Sequence, residues 1–179
     1  SGRLTPPQRM ALSLGMLRRV LRAFVIDGHC TSSATSVADV WVLGGDPEIS
    51  RLARQWGATW FEEEGSDINE TLWLGFRRAF ASGKAALYLP GDLPFLNQGD
   101  VATMYEASGR LKNIVLAPAR QDSGTNGILV PPVLPHSFRP LLGPDSFQRH
   151  LSQGESLGFP VAICYTPGLA CDLDTAVDL

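Results

Sequence analysis

The chain has 179 residues and a mass of 19.3 kDa, enough for one domain with a full hydrophobic core. Its 15 Lys and Arg residues against 18 Asp and Glu residues give a net charge of -3, so it offers no general attraction to nucleic acid or to an anionic membrane. With 44% hydrophobic and 18% charged residues, the composition is that of a globular protein and excludes a disordered one.

The first predicted elements alternate between helix and strand. Segment 5–24 opens with a capping threonine and two prolines, and its apolar residues then follow a helical spacing. The nearly continuous apolar run at 37–45 ends in glycines, which is typical of a strand covered on both faces. We predict a helix over 46–57 and a short strand over 58–63. A third helix, over 66–82, has Ser66 or Asp67 as its N-cap.

The same alternation continues along the rest of the chain. The remaining predicted elements are a strand and its loop at 85–96, a helix at 98–109, strands at 113–120 and 127–132, a helix at 144–154, a strand at 160–165 and the start of a last helix at 174–179. This order predicts an α/β fold with a mostly parallel, doubly wound sheet, as in nucleotide-binding domains. Because such a fold normally begins with a strand, we expect residues 1–179 to form one domain without its first strand and the end of its last helix.

Cysteine and histidine usage indicates no metal or redox site. Cys30, Cys164 and Cys171 lack the short paired spacing of a zinc site, and no apolar run is long enough to span a bilayer. We therefore predict plain buried thiols in a cytoplasmic protein. The three histidines, His29, His136 and His150, are scattered along the chain, and we assign them no chemistry.

Three aspartates follow predicted strands, where open α/β sheets bind their ligands. Asp92 follows one strand, whereas Asp172 and Asp174 follow another and would share one face of an extended chain. Two carboxylates so placed repel each other unless a cation lies between them. Three converging carboxylates suit Mg²⁺ or Mn²⁺. The alternative is that Asp92 caps a turn and Asp174 caps the last helix.

Two further segments are candidates for binding an anion. Thr125 lies between glycines at the entrance to a strand, where backbone N–H groups and a hydroxyl can approach a ligand. Gly143 and Ser146 lie at the start of a helix, where free amides and the helix dipole favour an anion. The alternatives are a plain turn at Thr125 and simple N-capping by Asp145 or Ser146.

The motifs GDLPFL, GTNGILV, GPDSFQRHL and PGLACDLDT occur in the order expected of the guanylyltransferases of coenzyme F-420 biosynthesis. The chain resembles this family over nearly its whole length. The resemblance implies a nucleotidyltransferase fold, shared with the nucleotide-diphospho-sugar and molybdopterin nucleotidyltransferases. It also implies transfer of GMP from GTP to phosphoenolpyruvate, 2-phospho-L-lactate or a similar phospho-acid, with release of pyrophosphate. The alternatives are a nucleotidyltransferase acting on a pterin or sugar phosphate, and a non-catalytic nucleotide-binding domain.

The resemblance also implies roles for particular residues. Its catalytic, metal-binding residues are Asp92, Asp172 and Asp174, its substrate-binding residues are Thr125, Gly143 and Ser146, and the candidates for nucleotide binding are Arg3, Asn69 and Arg120. The expected cofactor is Mg²⁺ or Mn²⁺, the partners are small molecules, and a homodimer is possible. Two departures from the family pattern are that Arg3 is the only member of a basic pair present, and that Asp145 stands where the family commonly has a small residue.

Overall fold

The computed structural model describes residues 4–24, 39–44, 47–120, 123–132 and 137–172. Its helices are α1 (Pro6–Arg22), α2 (Pro47–Gln55), α3 (Ile68–Ala81), α4 (Gln98–Ala107), α5 (Ser146–Ser156) and α6 (Pro167–Ala170). Its strands are β1 (Trp41–Leu43), β2 (Thr59–Phe61), β3 (Ala86–Tyr88), β4 (Ile114–Pro118), β5 (Thr125–Val130) and β6 (Val161–Ile163). The predicted order of elements is confirmed within these residues. The short helix α6 was not predicted, and the segment 174–179 lies outside the described residues.

The strands form a four-stranded sheet in the order β3-β5-β4-β6 and a separate parallel pair, β1-β2. β4 and β6 are parallel, whereas β5 runs antiparallel to both of its neighbours. The strands of this sheet are therefore parallel to one another, as the sequence predicts, except for β5. The physical reason is the connection at 119–124, which is shorter than the roughly dozen residues that a parallel crossover requires.

Helices cover both faces of the four-stranded sheet. Alternate residues of β4 enter different apolar clusters: Val115 and Ala117 pack with residues of α1, α4 and α6, whereas Ile114 and Leu116 pack with residues of α3 and α5. This alternation follows from the period of two of a strand. A third cluster joins α1 and α2 to the β1-β2 pair. The doubly wound arrangement is thus confirmed.

Local capping explains where two of the helices begin. Thr5 and Gln8 form a reciprocal capping box at the start of α1. Asp67 is the N-cap of α3 and accepts a hydrogen bond from the Glu70 N–H at 2.9 Å. Ser66, the alternative cap, instead donates from its hydroxyl to the Glu70 carboxylate.

Two of the three cysteines lie within the described residues. Cys164 is a buried free thiol and Cys171 a half-buried one, whereas Cys30 lies outside the described residues. Burial, and after it the nearby Asp100 carboxylate, raises the pKa of Cys164. None of the described helices is long and apolar enough to cross a membrane.

Candidate active site

Three candidate residues lie at or near the carboxyl edge of the parallel strands: Thr125, Arg120 and Asp172. Pro118 at the end of β4 pairs with Thr125 at the start of β5, so Thr125 lies at the carboxyl edge of the parallel strands. The Arg120 N–H, just past β4, donates to the Ala170 carbonyl at 2.8 Å. This bond joins the end of α6, which follows the outer strand β6, to the end of the inner strand β4. Asp172 lies two residues beyond Ala170, the last residue of α6, and is therefore close to this edge.

The predicted metal ligands are described in part. Asp92 lies in the turn after β3 and its Oδ1 atom is buried, while Asp172 is half-buried. Asp174 and Arg3 lie outside the described residues. Within the described ranges, no group of three His, Cys, Asp or Glu side chains could hold a metal. Asp92 and Asp172 carry the carboxylate oxygens that Mg²⁺ and Mn²⁺ prefer as ligands. The three-aspartate site stays a prediction.

A buried polar cluster links β5 to α5; we call it the hydroxyl–imidazole cluster (Thr125, Ser146 and His150). Thr125 Oγ1 lies 3.0 Å from His150 Nδ1 and 3.1 Å from the Ser146 hydroxyl that donates to it. The side of the ring away from Thr125 is also bonded, since the Leu141 N–H donates to His150 Nε2 at 2.7 Å. Nε2 must then carry a lone pair, and the neutral ring carries its proton on Nδ1.

The surroundings of His150 favour this neutral ring. Burial lowers the pKa of His150 to about 4, and the positive charge of Arg149 acts in the same direction, while the Ser146 carbonyl opposes them. The sequence assigns this histidine no chemistry, and the structure shows its ring bonded to Thr125 and to the Leu141 N–H. The available signal was its position four residues after Ser146, which puts both side chains on one helical face.

Asn69 holds the turn that precedes α5. Its Oδ1 accepts from the Leu142 N–H at 2.6 Å and its Nδ2 donates to the Leu142 carbonyl at 3.2 Å. The next residue, Gly143, is exposed at a φ of 114°, a conformation open essentially to glycine alone, and no atom lies within 4 Å of the position of a Cβ. The contact of Asn69 with nucleotide stays a prediction, and the structure shows that it anchors this turn.

The start of α5 differs from the expected open row of amides. The Ser146 N–H donates to the Gly143 carbonyl at 3.1 Å, and the Phe147 N–H donates to the Ser123 carbonyl at 3.0 Å. Asp145 occupies the N-cap position with a left-handed φ of 55° and makes no side-chain cap. Its carboxylate accepts from the Ser123 hydroxyl at 2.7 Å instead. Side-chain capping by Asp145 is therefore not observed, and the Ser146 amide already donates within the turn. Binding of an anion at Ser146 stays a prediction.

Solved structures with the same fold come from nucleotidyltransferases. A structure assigned as a nucleotide-diphospho-sugar transferase of Desulfovibrio desulfuricans G20 superposes with a TM-score of 0.70, at 17% identity, covering 92% of this chain and 70% of that one. A 4-diphosphocytidyl-2C-methyl-D-erythritol synthase superposes with a TM-score of 0.64, at 15% identity, covering 91% of this chain and 86% of that one. The fold is that of the nucleotidyltransferases, as predicted.

The sequence comparisons narrow the class to a family. Residues 4–179 match the family described as guanylyl transferase, CofC-like. A phosphoenolpyruvate guanylyltransferase of Rubrobacter xylanophilus is 38% identical over 179 residues, which cover 98% of this chain and 82% of that protein. The chain belongs to the CofC-like guanylyl transferase family. It is a nucleotidyltransferase enzyme, as the motifs predicted.

Proposed function

We propose that this enzyme transfers a guanylyl group from GTP to phosphoenolpyruvate, with 2-phospho-L-lactate as the alternative acceptor, and releases pyrophosphate in coenzyme F-420 biosynthesis. Membership of the family and the name of the Rubrobacter relative support this activity. The observation that carries the proposal is the position of Thr125 at the carboxyl edge of the sheet, where Ser146 connects it to the exposed Gly143 turn.

The burial of the candidate acceptor site favours a small ligand. Thr125 is 6% exposed, and the Ser146 hydroxyl is already bonded to it, so a ligand that reaches the Thr125 hydroxyl must present a compact group. Carboxylate and phosphate oxygens are compact acceptors of charge-assisted hydrogen bonds. A phospho-acid carries both kinds of group on a small carbon frame, which supports a phospho-acid as the substrate.

The proposed reaction requires no general base from the protein. The acceptor phosphate is already largely ionised at neutral pH, since its second pKa is about 6. Both ring nitrogens of His150 are engaged with protein groups, so this imidazole holds Thr125 and does not take up a proton. The work of the protein is to bring two anions together in the geometry for in-line attack on the α-phosphorus.

The charged residues have separate roles in the proposal. Asp92, Asp172 and Asp174 would hold Mg²⁺ or Mn²⁺, which when bound neutralises phosphate charge and stabilises the departing pyrophosphate. Arg3 and Arg120 would contact the GTP phosphates; the Arg120 side chain is exposed at the same edge of the sheet. Asn69, which is uncharged, would contact the nucleotide, and it separately holds the Leu142 backbone ahead of the Gly143 turn.

An assay of pyrophosphate release tests the acceptor directly. GTP is supplied with Mg²⁺ and with phosphoenolpyruvate, 2-phospho-L-lactate or 3-phosphoglycerate in separate reactions, and with a sugar phosphate and a pterin phosphate as comparison acceptors. We expect release with phosphoenolpyruvate or phospholactate. Activity confined to the sugar or pterin phosphate would refute the proposal, and GTP binding without turnover on any acceptor would point to a non-catalytic domain.

Charge-removing variants test the metal ligands. Asp92→Asn, Asp172→Asn and Asp174→Asn should each abolish turnover while leaving the melting temperature close to that of the wild type, because each removes a ligand charge. Asp39→Asn is the matched control, since Asp39 pairs with Lys84 at the surface and should be dispensable for turnover. Near-normal activity in any of the three site variants would contradict the metal assignment.

Two predictions from the sequence complete the proposal. A cytoplasmic location is tested by cell fractionation, and a homodimer by light scattering of the purified chain. Neither is required for the reaction as proposed.

A further inference from the structure

We propose that His150 is a positioning residue for the acceptor: its Nδ1–H donates to Thr125 Oγ1 and thereby leaves the hydroxyl hydrogen of Thr125 to be donated to a carboxylate or phosphate oxygen of the phospho-acid. This inference rests on the proposed function and adds a residue and a role to it.

Hydrogen bonding at Nε2 fixes the tautomer of the His150 ring. The Leu141 N–H can donate only to an unprotonated Nε2, which lies 2.7 Å away. The neutral ring therefore carries its hydrogen on Nδ1, which lies 3.0 Å from Thr125 Oγ1 and shares this hydrogen between Thr125 and the Ser146 carbonyl. The ring also stacks on Phe138 with a centroid distance of 5.9 Å, which fixes its plane. The direction of the His150–Thr125 bond follows from this arrangement.

The Thr125 hydroxyl accepts hydrogen bonds from two side chains. A hydroxyl oxygen can accept two hydrogen bonds and donate one. Ser146 donates to Thr125 Oγ1 at 3.1 Å, and His150 supplies the second donated bond. Both lone pairs of Oγ1 are then occupied, so its hydrogen must be directed away from the cluster. Thr125 becomes a fixed donor without any reorganisation when an anion arrives.

The orientation of the Thr125 hydroxyl determines the kind of ligand that it selects. A hydroxyl that can only donate favours an anionic oxygen and disfavours a ligand N–H or hydroxyl donor. Thr125 lies at the sheet edge near the Gly143 turn, where the acceptor acid is proposed to bind. His150 touches no substrate in this scheme and acts through Thr125 alone.

Two substitutions separate the two bonds of the ring. His150→Asn retains a donor near the Nδ1 position but cannot reach the Leu141 N–H. His150→Gln can accept from the Leu141 N–H but has no donor near Nδ1. We expect His150→Gln to raise the KM for the phospho-acid about tenfold or more while the KM for GTP changes less than about twofold, because an oriented bond to a charged group is lost. His150→Asn should melt at a lower temperature yet keep an acceptor KM close to that of the wild type.

A double-mutant cycle with Thr125→Val tests whether His150 acts through this hydroxyl. Thr125→Val should raise the acceptor KM, and adding His150→Gln should raise it no further. Gln153→Ala is the control for loosening of the same loop, since Gln153 binds both backbone groups of Arg139 one turn further along α5. It should lower the melting temperature and leave the acceptor KM unchanged. An equal effect of His150→Gln with and without the Thr125 hydroxyl, or a KM rise in Gln153→Ala, would overturn the inference.

The tautomer provides a readout that does not depend on turnover. ¹⁵N NMR of the His150 ring at neutral pH should show a protonated Nδ1 and an unprotonated Nε2. An Nε2-protonated or doubly protonated ring in an otherwise active enzyme would overturn this inference and leave the proposed function standing. Absence of pyrophosphate release with every phospho-acid would remove the proposed function and this inference with it.

Discussion

Substituting Gly168 by alanine tests how α6 is seated at the candidate site. A Cβ built on Gly168 would overlap Oδ2 of Asp100 and lie 2.7 Å from its Cγ. Asp100 is 6% exposed and accepts a hydrogen bond from the Asn97 N–H at 2.9 Å, at the start of α4. Its carboxylate cannot turn aside without losing this bond and leaving a charge buried. We therefore predict that Gly168→Ala forces α6 and α4 apart.

The size of the effect follows from this geometry. The added Cβ of residue 168 would lie 2.7 Å from Cγ of Asp100. Carbon atoms in ordinary contact lie about 3.5–4.0 Å apart, so the backbone of α6 must move by about 1 Å. Overpacking of this kind costs about 1–3 kcal/mol, or roughly 2–12 °C in melting temperature for a domain of this size. Because α6 leads directly to Asp172, the same shift should lower kcat by up to about 100-fold.

Thermal unfolding and pyrophosphate release measure the two consequences separately. Gly15→Ala is the matched control, since Gly15 lies in α1 with no atom within 4 Å of the Cβ position, and it should leave stability unchanged or raise it by up to about 1 kcal/mol. Asp100→Ala should cost less in the Gly168→Ala background than in the wild type, because the smaller side chain relieves the overlap. A Gly168→Ala variant that melts and turns over like the wild type would refute this account of the α6 packing.

Three further predictions address the cluster and its supports. Burial lowers the pKa of His150 to about 4 from 6.5, so the free energy of unfolding should fall by up to about 3 kcal/mol as the pH decreases from 6.5 to 4. Urea unfolding across this pH range should show a smaller decrease in His150→Gln. An identical pH dependence in the two proteins would contradict the lowered pKa. Asn69→Ala removes both bonds to Leu142 and should cost about 1–3 kcal/mol and raise the acceptor KM, so an unchanged KM would mean that the turn needs no such anchor. A Cβ on Gly154 would overlap the Val161 side chain, so Gly154→Ala should lower stability by about 1–3 kcal/mol, and a melting temperature equal to that of the wild type would show that α5 can shift freely on β6.

Much of the architecture is set by local features of the sequence. The apolar periodicities determine the order of the elements from α1 to β6, and the short segment 119–124 makes β5 antiparallel to β4. Turn chemistry is equally local, as at Gly143, whose φ of 114° suits glycine. These features involve residues close together in the chain, so a single sequence contains the information. The motifs indicate the family in the same way, through their residues and their order along the chain.

The partners within the site were decided only by the tertiary structure. His150 bonds to Thr125 across 25 positions of sequence, and Asn69 bonds to Leu142 across 73. Whether the helix-start amide of Ser146 is open to an anion depends on the Gly143 carbonyl that the folded turn brings to it. No periodicity or motif specifies such pairings, because they depend on how separate elements pack. The sequence by itself therefore determined which elements form and which chemistry they serve, whereas packing determined which donors are already used and which remain for a ligand.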